Sequence, residues 1–221
     1  MSATAQRNNL LEEYLLWGGF PEVVLADRTD LKRNLLTSYV DTMILRDVLD
    51  RHQVKNLVLL ERLFQKVLLS FTKEFSVHRW YNDFRSQGFK LSKDTLYDYL
   101  SFLEESLFIQ IVENAVNLGA AKKIFLVDNG IYQQIKDRPD TGKLWENACF
   151  LQLVRQGKKP RFWRDDRGEV DFVTDEALIQ VTTELSEENQ ERELGPLKLL
   201  SEQFPAKEAR VLTWPQGLEE A

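Results

Sequence analysis

The sequence predicts a mixed α/β protein, α+β overall, in which a helical N-terminal segment and a three-helix unit precede a helix-and-sheet unit. Between residues 144 and 182 the apolar residues change from helical spacing to the spacing of short strands. Between residues 57 and 127 three amphipathic stretches are followed by two short apolar runs. The composition is 43% hydrophobic and 29% charged over 221 residues, which suits a folded chain of one large or two small domains. The expected division is residues 1–52, 53–136 and 137–221.

Taken in order, Asn9 to Leu16 reads as a short helix ending at Gly18-Gly19, and Pro21 fixes an extended exit at Phe20. Residues 30 to 51 read as one long amphipathic helix with Asp30 as N-cap. Its stripe would be Leu31, Leu35, Tyr39, Met43 and Val48. Leu57 to Phe71 is the next helix, with Leu59, Leu60, Leu63, Val67 and Leu68 facing inward. Ser76 caps a second helix, with Phe75 and Trp80 at the two positions of a hydrophobic staple, and Gly88 closes it. Ser92 caps a third, with Leu91 and Leu96 as a second staple and Leu96, Leu100, Leu103 and Leu107 as its buried stripe. Leu107 to Val112 and Lys123 to Val127 then read as paired strands. Three helices followed by a strand pair resemble a winged helix, with the strands as its wing.

The last third carries the chemistry. Trp145, Ala148, Leu151 and Val154 recur at helical spacing, and Gly157 stops that helix. Arg161 to Arg164 is a brief strand, Asp165-Asp166-Arg167-Gly168 a polar turn, and Glu169 to Thr174 and Leu178 to Thr182 are further strands. Residues 188 to 203 read as a helix and Ala209 to Trp214 as a last strand. A helix acid, Glu146, and a strand acid, Asp171, can converge on one divalent cation, which takes oxygen ligands at about 2.0 to 2.1 Å.

These residues resemble the PD-(D/E)XK nuclease core of a helix, a three-stranded meander, a second helix and a further strand. Glu146 matches its helix acid, Asp171 its strand acid, and Gln180-Val181-Thr182 stands where Glu-x-Lys would be. More widely, residues 11 to 214 are similar to the C-terminal half of a prokaryotic AAA+ ATPase family of unknown function, in which a winged helix and a nuclease-like fold follow the ATPase module. The phrases that carry this resemblance are Tyr14-Leu15, Gly18-Gly19-Phe20-Pro21, Leu45-Arg46-Asp47, Phe125-Leu126-Val127-Asp128-Asn129-Gly130, Glu146-Asn147, Glu169-Val170-Asp171-Phe172 and Ile179-Gln180-Val181. The resemblance implies metal positions at Glu146 and Asp171, with Mg²⁺ as the cofactor, and catalytic positions at Glu146, Asp171, Gln180 and Thr182. Gln180 offers only a neutral carbonyl oxygen and Thr182 no positive charge, so the catalytic set is degenerate. The alternative is a nuclease fold kept as a scaffold, with Asp171 bonded to neighbouring backbone. No GxxxxGK[ST] phrase occurs, so this sequence carries no ATP site of the P-loop kind.

Charge narrows the partners. The net charge of −6 argues against a general polyanion binder, yet residues 51 to 100 hold nine Lys or Arg against five Asp or Glu, and residues 155 to 167 hold six against two. The outward set of the third helix would be Lys93, Asp94, Tyr97, Asp98 and Ser101, a balance poor for entering a major groove. Phosphate contact would therefore come from Arg79, Arg85, Lys90 and Lys93, with Arg62, Lys66 and Lys73 nearby and Tyr97 beside them. Glu184, Glu187, Glu188, Glu191 and Glu193 sit where a helix dipole favours carboxylates. Cys149 reads as a small core residue, and a disulfide framework is excluded. His52 and His78 read as solvated surface residues.

The lack of a long apolar run and of an apolar leader predicts no membrane span and a cytoplasmic protein. The expected role is a nucleic-acid or protein interaction module with a degenerate nuclease core. The expected partners are DNA, an ATPase domain or another protein. The alternatives are a Mg²⁺-dependent nuclease using Glu146 and Asp171, and a structural domain that drives oligomerisation.

Overall fold

A computed structural model describes residues 3–42, 48–52, 54–116, 121–134 and 140–214. The chain divides into two compact units, one of Trp17–Ile111 with Ala120–Pro139, the other of Met1–Leu16, Val112–Gly119 and Asp140–Ala221. The fold is mixed α/β with two sheets.

The chain opens with α1, Ala3–Trp17, longer at its start than the apolar pattern alone indicates. In the first unit, Phe20 is extended as the following proline requires, but Pro21 itself opens a helix, α2, Pro21–Leu25. The next helix, α3, is Thr29–Thr42. Asp30 lies inside its first turn, not at the cap, and its carboxylate takes the Arg28 guanidinium at 3.0 and 2.5 Å. The buried stripe is Lys32, Leu36 and Val40, one residue on from the expected one, and Leu31 is 45% exposed. Lys32 joins it because its stem packs inward while its ammonium stands 5.9 Å from the centre of the Trp17 ring. Met43 and the phrase Leu45-Arg46-Asp47 lie outside the described residues, and the helical turn α4, Leu49–Arg51, follows them.

The remainder of this unit runs α5 (Leu57–Ser70), β1 (Glu74–Phe75), α6 (Val77–Ser86), α7 (Lys93–Glu105), β2 (Ile109–Val112) and β3 (Lys122–Leu126). The strands form one sheet in the order β1-β3-β2, with β1 antiparallel to β3. All five inward residues expected for α5 are buried, and Phe64 joins them. Phe75 and Trp80 make the expected staple with ring centres 4.6 Å apart, although Ser76 holds the N-cap place of α6 without a side-chain bond. Ser92 does cap α7, its hydroxyl accepting from the Thr95 amide at 3.1 Å.

Leu107 departs from its expected place in the α7 stripe. Its amide bonds Glu104 and the next amide, of Phe108, bonds Leu103, which is the double closure of a Schellman motif. The motif puts Leu107 at φ 56° and leaves it 67% exposed, while Phe108 turns inward. Strand β2 therefore starts two residues later than the hydrophobic run suggests. His52 is also not solvated: its ring stacks on Phe102 at 3.8 Å and it lies 3.7 Å from the Glu105 carboxylate. His78 is exposed and contacts Asn82.

The second unit is built on α8, Thr141–Arg155, capped by the Asp140 side chain at 3.2 Å from the Lys143 amide. Strands β4 (Arg161–Asp165), β5 (Gly168–Val173), β6 (Ala177–Thr182) and β7 (Glu208–Thr213) form one sheet in that order. The first two pairings are antiparallel and β6–β7 is parallel, so the sheet is mixed. A parallel pair needs a crossover, and α9, Gln190–Gln203, supplies it. Trp163, Val170 and Leu178 of the sheet pack with Leu197 and Leu200 of α9. Phe172 instead meets Phe150 of α8, with ring centres 6.1 Å apart.

Candidate functional site

The positions matched to the nuclease pattern lie in the second unit, and one of them, Asp171, stands at an irregularity in the β4–β5 pairing. Arg161 pairs with Val173 but Trp163 pairs with Val170, so three steps on β5 oppose two on β4. Asp171 falls inside that irregularity and is buried. The register of β5 with β6 pairs Val173 with Leu178 and Phe172 with Ile179, and beyond these pairs the Val181 amide donates to the Asp171 carboxylate at 2.8 Å. The Asp171 side chain thus takes a backbone donor of the neighbouring strand β6, the kind of bond the scaffold alternative expects.

Glu146 and Asp171 share a neighbourhood through Cys149. The Cys149 thiol is pushed up to about 12, first by burial and then by the nearby charges of Asp171 and Glu146. Gln180 and Thr182 take other partners. The Gln180 amide donates to Glu193 of α9 at 2.8 Å, and Glu193 is in turn held by the Arg192 guanidinium at 3.0 and 2.5 Å. Thr182 donates its hydroxyl to the Glu184 carbonyl at 2.8 Å. Glu193 is thus a buried hydrogen-bond partner and not only a dipole-favoured carboxylate; a link across 13 residues has no signature in local spacing.

Two of the donors, Glu146 and Asp171, are carboxylates, the number a magnesium ion takes together with water or substrate oxygens, but Asp171 is the more enclosed of the two. Such an ion keeps several waters and demands near-octahedral ligation. Asp171 is only 7% exposed and one of its oxygens already accepts from backbone. Among the described residues no group of three or more His, Cys, Asp or Glu is placed to hold a metal. The Gln180 carbonyl oxygen is buried and has no hydrogen-bond partner among the described residues, but its amide is committed to α9.

A second candidate lies in the other unit, on α6, α7 and the loop between them. Arg79, Arg85, Lys90, Lys93 and Tyr97 are all exposed. Among the described residues no carboxylate stands within ion-pair distance of those four cations, whereas Lys66 is bound to Asp83 at 2.8 Å. Tyr81, which sequence reasoning missed, joins the two helices: the Arg85 guanidinium lies 5.9 Å and the Lys93 ammonium 5.8 Å from its ring centre. Of the six cations in the other basic run, residues 155 to 167, three are paired with carboxylates, and Arg155, Lys159 and Arg161 are exposed. Lys158 pairs with Glu176 at 2.6 Å, Arg164 with Glu169 at 2.5 Å and Arg167 with Asp165 at 2.6 Å. The Arg167 guanidinium accordingly holds the Asp165 carboxyl below its ordinary range.

Two family models match the chain, each described as a domain of unknown function: DUF8612 over residues 8–141 and DUF4143 over residues 141–216. The chain is similar to an uncharacterized protein of Methanocaldococcus jannaschii, 29% identical over 83% of this chain and 44% of that protein. It is also similar to an uncharacterized protein of Haemophilus influenzae, 29% identical over 83% of this chain and 48% of that protein. The chain thus spans about half the length of these relatives. No solved structure matches it. Among the described residues no helix is long and apolar enough to cross a membrane.

Proposed function

For a chain that belongs to the family described as domain of unknown function DUF8612, we propose an interaction module that contacts nucleic acid through α6 and α7 beside a degenerate nuclease-like unit. The observation that carries this reading is the set of exposed cations without carboxylate partners, Arg79, Arg85, Lys90 and Lys93, in a chain whose net charge is −6. Phosphate contact needs such a local basic face whatever the total charge. The order helix, strand, helix, helix, strand, strand from α5 to β3 supports a winged-helix reading of this unit. The mixed four-stranded sheet with α8 and α9 supports the nuclease-like reading of the other. The commitments of Gln180 to Glu193 and of Thr182 to Glu184 support a core without turnover. The remaining half of the relatives' length leaves room for an ATPase module as a natural neighbour.

The test is a binding titration of labelled DNA with wild type, an Arg79→Glu, Arg85→Glu double variant and Asp98→Ala. The double reversal should weaken binding about tenfold or more and lower its salt dependence, as lost phosphate contacts do. Asp98→Ala should not weaken it. Equal binding by wild type and double variant would move the contact elsewhere. No binding even at low salt would leave protein docking as the better account.

A further inference from the structure

Resting on the nucleic-acid reading above, we infer that the Tyr81, Arg85, Lys93 and Tyr97 cluster takes a single strand, with the cations on its phosphates and Tyr97 stacked on a base. Tyr97 is 55% exposed, and it follows Lys93 by one helical turn on α7. Lys93 and Arg85 are held near one place by the Tyr81 ring, at 5.8 and 5.9 Å from its centre. A narrow pair of cations beside an exposed aromatic face is the arrangement that single strands use, because their unstacked bases offer a π-face. A duplex hides those faces, so Tyr97 has nothing to stack on there. The same helix also presents Asp94 and Asp98 to solvent, which would oppose the second phosphate backbone of a duplex seated along it. A single backbone that follows Arg85 and Lys93 brings one line of phosphates to this helix where a duplex would bring two.

The experiment is an anisotropy titration of the full chain with a labelled oligothymidylate of about a dozen nucleotides and with the matching duplex. Wild type should prefer the single strand. Tyr97→Ala should weaken that binding by about fivefold to a hundredfold and leave duplex binding unchanged, because one stacking contact is lost. Tyr97→Phe should retain it, since the ring face remains, and this variant separates stacking from any role of the hydroxyl. Duplex affinity equal to or above that for the single strand, or no effect of Tyr97→Ala, would overturn the inference. If that pattern came with binding still lost on Arg85→Glu, the nucleic-acid reading would stand without it. Absence of binding to both probes at low salt would overturn the two together.

Discussion

Asp128 is the residue whose role is clearest from geometry. Its carboxylate accepts from the Gly19 amide and from the Gly130 amide, both at 2.7 Å, and it is 6% exposed. Gly18 lies at φ 77°, and a Cβ there would fall 1.6 Å from the same carboxylate, so only glycine fits. The two phrases Gly18-Gly19 and Asp128-Asn129-Gly130, read separately in the sequence, are thus one structural knot across 109 residues. Asp128→Ala would leave buried donors unpaired and should cost about 2 to 4 kcal/mol in a denaturant melt. Asp128→Asn should cost less, because an amide oxygen still serves one donor. A melt unchanged by Asp128→Ala would remove the knot from the account.

Cys149 gives a prediction about pH. Its folded value, about 12, lies above the value of about 9.0 expected for a free thiol. Between those values the unfolded chain binds fewer protons than the folded one, so stability falls as pH rises. The contribution is complete below about pH 9 and its loss approaches a slope of about 1.4 kcal/mol per pH unit above it. Denaturation of wild type and Cys149→Ala from neutral pH to about pH 10 checks this: the advantage of wild type should shrink with pH. A constant difference, or rapid alkylation of the native thiol, would contradict it.

At the scale of elements, the strands of the four-stranded sheet were legible because strong turn signals bound them. The two-residue strand β1, Glu74–Phe75, is too short to show an alternation and was missed. Asp166-Arg167-Gly168 and Gly157 place the ends of β4, β5 and α8 within a residue or two of the expected positions. The register of α3 was not legible, because a buried lysine does not look like a member of an apolar stripe. The bulge in β5 and the reach of Gln180 to α9 were not legible either, since both depend on pairing between segments. That reach changes what a repair of the Glu-x-Lys positions would do. Gln180→Glu sets a second carboxylate against Glu193, where the amide now stands at 2.8 Å. Two carboxylates in one buried site cannot both ionise cheaply, so the variant should be less stable at neutral pH and recover as pH falls. In a cleavage assay with Mg²⁺ or Mn²⁺ hydrolysis by the wild type should be absent or very slow, since losing one preorganised charge of this kind costs about 10² to 10³ in rate. Cleavage by wild type that Asp171→Ala abolishes would show that the nuclease positions work.

For the whole molecule, the question is how an acidic chain could hold a polyanion. The answer proposed is local: the exposed cations of α6 and α7 act within a screening length of about 8 to 10 Å, while the net charge of −6 is a sum over the whole sequence. The composition could suggest basic regions but not which of their cations the fold pairs; the ion pairs of Lys158, Arg164 and Arg167 take half of the run from 155 to 167 and appear only in three dimensions. The most direct measurement is the dependence of DNA affinity on salt for the wild-type chain. Four phosphate contacts predict a slope of log K against log salt near −3, for single strands at about −0.7 per contact. A slope near zero, or no measurable affinity at low salt, would contradict an interaction built on Arg79, Arg85, Lys90 and Lys93.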